Sequence, residues 1–317
     1  MNCGGKKKKS ANSPVGTNKS KLGAPKEKKD ETEQPSASVK GESLKKKKNK
    51  RMKMTTRRSG NPTAIANEPI PWQNLKIKIY KHLGSGVMGS VFLIDWQKSK
   101  KVALKLVPLT QNSSWHLCKV EVDNLIKIRQ ISSEVPNFVK MLNNCIVESI
   151  PAEVCKKFQL LQNTKYSVII LENGGEPLAK KIFKSDEQII SAVAQTMLAM
   201  CVAKRRLDFQ HVDIHDKNIL VSETESEIME YVVDGRKVRV RACGVKVTII
   251  DLQLSRFKYY PSRYDLRRLC DVFIMLAKKT NEESARKIIL KAVEICRNAP
   301  DSAGLWPNDQ FFDHTCR

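Results

Sequence analysis

From Leu75 to Tyr80 apolar and polar residues alternate, the period-two pattern of a half-buried strand. A glycine-rich turn follows at 84–89, and Val91–Ile94 and Val102–Val107 read as two further strands. The period then changes. Within Leu117–Ile131, Val122, Leu125, Ile126 and Ile128 recur at helical spacing. Val168–Leu171 is a strand broken by Asn173, Gly174 and Gly175. Beyond it most of the pattern is helical: Glu187–Arg206 is apolar on one face, and Tyr264–Lys278 and Asn281–Arg297 are similar. A hairpin interrupts the helices, because Asp234-Gly235 sits between alternating runs in Tyr231–Val240. Val245–Ile250 is one more strand, delivering Asp251 at its end. Strands first and helices later predict an α+β domain with a small sheet lobe and a larger helical lobe.

Composition separates the start of the chain from the rest. Of the net charge of +24 over 317 residues, residues 1–70 supply 19 Lys and Arg against 6 Asp and Glu. That stretch has almost no apolar run before Ile70, so it buries too little surface to offset chain entropy. It is expected to be a disordered basic tail, followed by one folded domain over 71–317 divided into lobes at about 172/173. Clusters at Lys6–Lys9 and Lys45–Arg51 are of the type read by nuclear import or bound by polyanions, nucleic acid and chromatin among them. A tail that only solubilises is the plainer alternative. The nine cysteines include no CxxC pair, which speaks against zinc and a disulfide framework and for a reducing compartment. No secretory leader, no 18-residue apolar span and no myristoylation signal is legible, so no membrane partner is expected.

Four stretches carry candidate chemistry. Gly84, Ser85, Gly86, Val87 and Gly89 with Val91 form a GxGxxGxV loop, in which bare glycines let backbone amides approach phosphates. A dinucleotide fold would put such a loop between strand and helix; here two strands flank it, as in protein kinases. Lys105, 16 residues after Gly89 on an apolar strand that also carries Ala103, is placed to pair nucleotide phosphates. Glu121 on the next helix is the expected holder of that lysine, with Asp123 as the poorer choice. In the stretch His211–Asn218, Asp213 and Asn218 stand five apart, matching a catalytic loop whose aspartate takes the substrate proton and whose asparagine binds magnesium. Lys217 is near enough in sequence to neutralise charge on the transferred group. A metal site of His211 and His215 is the rival reading of the same stretch. Asp251, ending an apolar strand, is the expected second magnesium ligand. Adenine contacts are expected near Leu171–Asn173, through Glu172 and Asn173. Together these give a bilobal protein-kinase-like fold using ATP and Mg2+.

Finer details resemble the haspin family of atypical serine/threonine protein kinases. The residues that carry the resemblance are His215 two after Asp213, Cys243-Gly244-Val245 running into Val247–Asp251, and Leu254-Ser255-Arg256 in place of Asp-Phe-Gly and a long activation segment. The similarity covers roughly residues 76–317. It implies a nuclear mitotic kinase that phosphorylates a threonine near the start of a histone tail and needs no activation-loop phosphorylation. Val212 stands where most kinases have an arginine that receives an activation-loop phosphate, which agrees with that independence. Gln253 stands where most have glycine. The stretch Phe257–Arg263 is short and basic where haspins carry acidic residues, and a basic stretch repels a basic tail. Two other readings stay open: a pseudokinase or scaffold, and a small-molecule kinase of the aminoglycoside or choline kinase type.

Overall fold

A computed structural model describes residues 68–86, 88–97, 99–258 and 262–305. The basic tail, apart from its last residues, and Val87 lie outside the described residues. In chain order the elements are β1 (Ile70–Pro71), β2 (Ile77–Ser85), β3 (Ser90–Trp96), β4 (Ser99–Pro108), α1 (Asn112–Arg129), β5 (Met141–Glu148), α2 (Ala152–Phe158) and β6 (Tyr166–Leu171). There follow β7 (Glu176–Pro177), α3 (Asp186–Leu207), β8 (Phe209–Gln210), β9 (Ile219–Glu223), β10 (Ile228–Val233), β11 (Arg236–Arg241), β12 (Val245–Ile249), β13 (Arg256–Phe257), α4 (Tyr264–Ala277) and α5 (Glu283–Asn298).

The α+β, two-lobed architecture is the expected one. Six strands form one sheet in the order β1-β5-β6-β4-β3-β2, antiparallel except for the β1–β5 pair. Alternation along β4 sorts its side chains. Val102, Leu104 and Leu106 bury into an outer core with Phe92, Ile94, Val168, Ile170, Trp72 and Leu75. Period two then turns Ala103 and Lys105 to the opposite face, where Ala103 packs against the core that contains Val122, Leu125 and Ile128 of α1. One residue of register would exchange the two sets and bury Lys105 in the apolar core.

The helical lobe is built on α3, buried along nearly its whole length. The predicted hairpin is β10–β11, with Asp234 and Gly235 both at positive φ in its turn. It is fixed to the lobe by a buried polar chain: Tyr231 Oη donates to Asn137 Oδ1 at 2.7 Å, Asn137 Nδ2 to Gln195 Oε1 at 3.1 Å, and Gln195 Nε2 to the carbonyl of Val245 at 2.8 Å. Burial makes each of these bonds costly to leave unmade.

One expectation needs correction. The strand expected from Leu75 begins at Ile77, because Trp72–Leu75 is a 3-10 turn and Lys76 takes a left-handed conformation (φ 49°) that breaks the extended run. The stretch Met141–Glu148 forms the strand β5 between β1 and β6. Its polar Asn143 and Asn144 interrupt the alternation, and its register with β6 shifts between Met141 and Asn143.

Candidate active site

Lys105 lies at the middle of β4, opposite Val91 on one side and Ile169 on the other. Its ammonium donates to Glu121 at 2.7 Å (Oε1) and 2.8 Å (Oε2), and to Asp251 Oδ1 at 3.1 Å. Glu121, not Asp123, is therefore the helix partner. It shares the buried face of α1 with Cys118, Val122, Leu125 and Ile128, a spacing that helix geometry fixes. Burial disfavours the ammonium of Lys105, but the charges of Glu121 and Asp251 outweigh it and hold the group above the usual lysine value. Burial likewise pushes the Glu121 carboxyl up, and the contact with Lys105 pulls it back. The bidentate geometry decides for the ionised pair.

Asp251 follows β12 at positive φ (62°) and precedes the 3-10 turn Leu252–Leu254. That turn is fastened to α1: buried Asn124 donates through Nδ2 to the carbonyls of Leu252 (2.8 Å) and Ser255 (2.9 Å). One helix thus positions both the lysine's partner and the segment behind Asp251. The pairing of β12 with β9 ends at Ile249 and Ile219, so Asn218 and Asp251 flank the end of one ladder, and the amide of Ile250 donates to the carbonyl of Asn218 at 3.0 Å. Asn218 Nδ2 donates back to the carbonyl of Asp213 at 3.0 Å, leaving its amide oxygen as the end that faces away. An amide oxygen and a carboxylate are hard ligands of the kind magnesium takes, and magnesium needs few of them. The residues present fit that ion.

The loop from His211 to Asp213 is held from below. Asp265, in the first turn of α4, accepts from the amides of His211 (2.8 Å, Oδ2) and Val212 (2.9 Å, Oδ1). Burial pushes the Asp265 carboxyl up and the two amides, with His211, oppose it. Val212 has φ 69°, a strained backbone for a β-branched residue, and these bonds hold it there. The ring of His211 is buried, with Nε2 donating to the carbonyl of Ile250 at 2.9 Å, and burial holds it below the usual histidine value. His215 accepts at Nδ1 from the amide of Lys217 at 3.1 Å, and its Nε2 stands 3.8 Å from Asp213 Oδ2. His211 Nδ1 is buried without a hydrogen-bond partner, and among the described residues no group of three or more His, Cys, Asp or Glu is arranged for a metal. The two-histidine metal reading has no support.

The glycine-rich turn joins β2 to β3, closed by the amide of Gly86 donating to the carbonyl of Gly89 at 2.9 Å. Ser85 Oγ bonds His82 Nε2 at 2.9 Å and Ser90 Oγ at 3.0 Å. A Cβ on Gly89 would stand 2.2 Å from the carbonyl oxygen of Leu106, whereas Gly84 and Gly86 face open space. Gly89 is required by strand packing; the other two leave room for phosphates. Past β6, the amide of Glu172 donates to the carbonyl of Lys140 at 2.9 Å, its carboxylate meets Lys246 at 3.6 Å, and Asn173 Oδ1 accepts from the amide of Gly175 at 3.1 Å. The Glu172 amide is thus already engaged, and adenine would have to meet other groups of that segment. The side chain of Lys217 is exposed.

Sequence reasoning missed Asn124 and Asp265. Neither lies in a spaced motif, and both act on backbone groups, which leave no residue-type signal at the other end.

Residues 37–270 match the family described as Haspin like kinase domain. An uncharacterized protein of Caenorhabditis elegans is 27% identical over 247 residues, 77% of this chain and 81% of that protein. The serine/threonine-protein kinase haspin homolog of Arabidopsis thaliana is 28% identical over 128 residues, 40% of this chain and 21% of that protein. The serine/threonine-protein kinase haspin of Bos taurus is 24% identical over 249 residues, 66% of this chain and 32% of that protein. The match therefore spans a fifth to a third of those two haspins.

Proposed function

The chain belongs to the haspin-like kinase family, and from that premise we propose that it is an ATP- and magnesium-dependent serine/threonine protein kinase. The single observation that carries the reading is the junction of Lys105, Glu121 and Asp251 within 3.1 Å, beside the loop bearing Asp213 and Asn218. Such a set lets a protein bind a nucleoside triphosphate at Lys105 and the glycine-rich turn. Asn218 and Asp251 would hold magnesium, which when bound supplies charge neutralisation at the phosphates.

Phosphoryl transfer has a loose transition state, so the protein's contribution is positioning and electrostatics. Lys105, fixed by Glu121, keeps its charge through catalysis and aligns the phosphates. Asp213 accepts the hydroxyl proton of the substrate, and its carboxylate is steadied by Asn218 Nδ2 at 3.4 Å. Lys217 offers a second cation to the transferred group. Serine or threonine in a protein is the acceptor, a histone tail among the candidates, and the basic N-terminal segment supports nuclear residence and contact with chromatin. The pseudokinase reading draws on Val212 and Gln253, yet neither removes a phosphate or metal-binding group.

The test is transfer of the γ-phosphate from ATP with magnesium to a panel of histones and of basic and acidic peptides. Incorporation that disappears in both Lys105→Ala and Asp251→Ala, with the folded state intact, is the expected result. ATP-dependent thermal stabilisation with no transfer to any member would favour the pseudokinase, and transfer persisting in either variant would overturn the assignment.

A further inference from the structure

A cleft of about 170 Å³ opens beside the loop of Asp213, lined by Gln210, Val212, Arg256, Ser262, Tyr264 and Asp265. The short β13–β8 pair places it, with Arg256 opposite Gln210. Arg256 and Val212 therefore border one opening, and Val212 is the residue next to Asp213. The space admits several waters, and so a carboxylate or a phosphate group.

The charge around this opening is one-sided. Arg256, Lys258 and Arg267 are exposed, and Arg268 is half-buried with its guanidinium 5.9 Å from the centre of the Tyr264 ring. From α1, the ammonium of Lys127 stands 5.2 Å from the centre of the ring of Phe257, the neighbour of Arg256. Among the described residues none of these five is in an ion pair with a carboxylate, and Arg268 Nε is closed off from solvent without an acceptor. Elsewhere exposed cations do find acids: Lys184, Arg239, Arg286 and Lys291 are each paired at 2.8–3.0 Å. The acids near the cleft are already engaged. Asp265 is buried, with both oxygens taken by the amides of His211 and Val212. Asp251 is held by Lys105, and exposed Asp271 on α4 pairs with neither Arg267 nor Arg268. Such a surface attracts anions and repels a basic peptide.

We infer that this cleft is a subsite for acidic peptide: a side-chain oxyanion of the substrate, carboxylate or phosphate, sits against Arg256. A guanidinium can meet either group through two parallel N–H···O bonds. An extended peptide advances about 3.3 Å per residue. A cleft bordered by Val212 is thus within about four residues of a hydroxyl presented to Asp213. The identity of the acceptor rests on the kinase reading; the binding does not. The inference narrows the substrates to acidic segments and sets basic tails aside.

The test uses the full chain and three fluorescent threonine peptides of equal length. They carry three aspartates, three lysines or one phosphoserine within four residues of the threonine. Each exposed ion pair is worth roughly 1.4- to 5-fold in affinity, and like charges cost as much. Anisotropy at low salt should therefore show the aspartate and phosphoserine peptides binding about tenfold tighter than the lysine peptide. Arg256→Ala should weaken both by about fivefold. Arg236→Ala removes an exposed charge from the β10–β11 hairpin and should change neither. The basic tail is present in every arm, so its charge cancels. Phosphoserine ahead of aspartate identifies phosphate as the preferred oxyanion, and parity identifies carboxylate. Equal binding of all three peptides overturns the inference, as does an equal loss in the two arginine variants. So does a short DNA duplex that binds more tightly than either acidic peptide with the same dependence on Arg256. Transfer of phosphate from ATP to the same peptides separates the two readings. Arg256-dependent binding without transfer leaves the subsite and sinks the kinase; transfer that favours the lysine peptide keeps the kinase and sinks the subsite.

Discussion

Glu121 and Asp265 are both nearly closed off from solvent, at 2% and 4% exposure, yet one holds a side-chain ammonium and the other two backbone amides. Each belongs to a different lobe. Glu121 reaches from α1 to Lys105 under the sheet, and Asp265 reaches from α4 to the amides of His211 and Val212 under the loop of Asp213. A buried charge is costly unless paired or hydrogen-bonded, and the two carboxylates solve that problem in two ways. Glu121 is paired with an opposite charge, so each partner depends on the other. Asp265 is solvated by peptide groups that exist whatever side chains they carry, so its partners are indifferent to sequence while the loop geometry is not.

The largest effect is expected on the charge-paired side. Glu121→Ala leaves Lys105 with Asp251 alone, and Asp251 is partly exposed. Breaking a buried ion pair by removing one partner costs about 3–5 kcal/mol. Chemical denaturation of Glu121→Ala should show a loss in that range. The double replacement Lys105→Met with Glu121→Leu should recover most of it, since no buried charge is then stranded. A loss below about 1 kcal/mol in the single variant would mean that water reaches the pair and that the contrast with Asp265 is one of geometry alone.

A smaller loss is expected at Asp265. Asn keeps one accepting oxygen for one amide and turns an amino group toward the other, leaving a buried N–H unmade at a cost of about 1–3 kcal/mol. Asp265→Asn should therefore unfold at lower denaturant with an unchanged slope. Amide exchange at His211 and Val212 should quicken while that in the β4–β6 ladder stays as it was. Equal exchange at both places would show that Asp265 acts on the whole lobe and not on the loop.

This asymmetry explains what was legible in the sequence. Lys105, Glu121, Asp213, Asn218 and Asp251 were visible because each has a side-chain task tied to a particular residue type, and the tasks recur at set spacings along strands and loops. The β4 lysine stands out because it interrupts an apolar run; Glu121 stands out once that lysine needs a partner. Asp265 and Asn124 look like any polar residue near the end or on the face of a helix, since the groups they bind are carbonyls and amides. The same holds for β5, whose place in the sheet is set by pairing with β6 and not by its own interrupted alternation. Element positions followed from periodicity for α3, α4, α5 and the β10–β11 hairpin. The strand start at Ile77 did not, because the left-handed Lys76 is invisible to a pattern that counts apolar positions.

The smallest effect is the sharpest test of what Asp265 is for. Val212 is held at φ 69° by the two amide bonds to Asp265, one of them its own. A β-branched residue there carries roughly 1–3 kcal/mol of strain. Glycine adopts that conformation freely, but costs about 0.5–1 kcal/mol in backbone freedom, and the side chain of Val212 is only half-buried, so little packing is lost. Val212→Gly should therefore leave the protein as stable as before or more stable, by up to about 1 kcal/mol. It should also blunt the effect of Asp265→Asn, because a loop that no longer resists its conformation has less need of the carboxylate that enforces it. Coupling between the two substitutions of at least about 0.5 kcal/mol is expected from a double-mutant cycle. Strict additivity would mean that the strain at Val212 is held by the rest of the loop, and that Asp265 only fills a polar need.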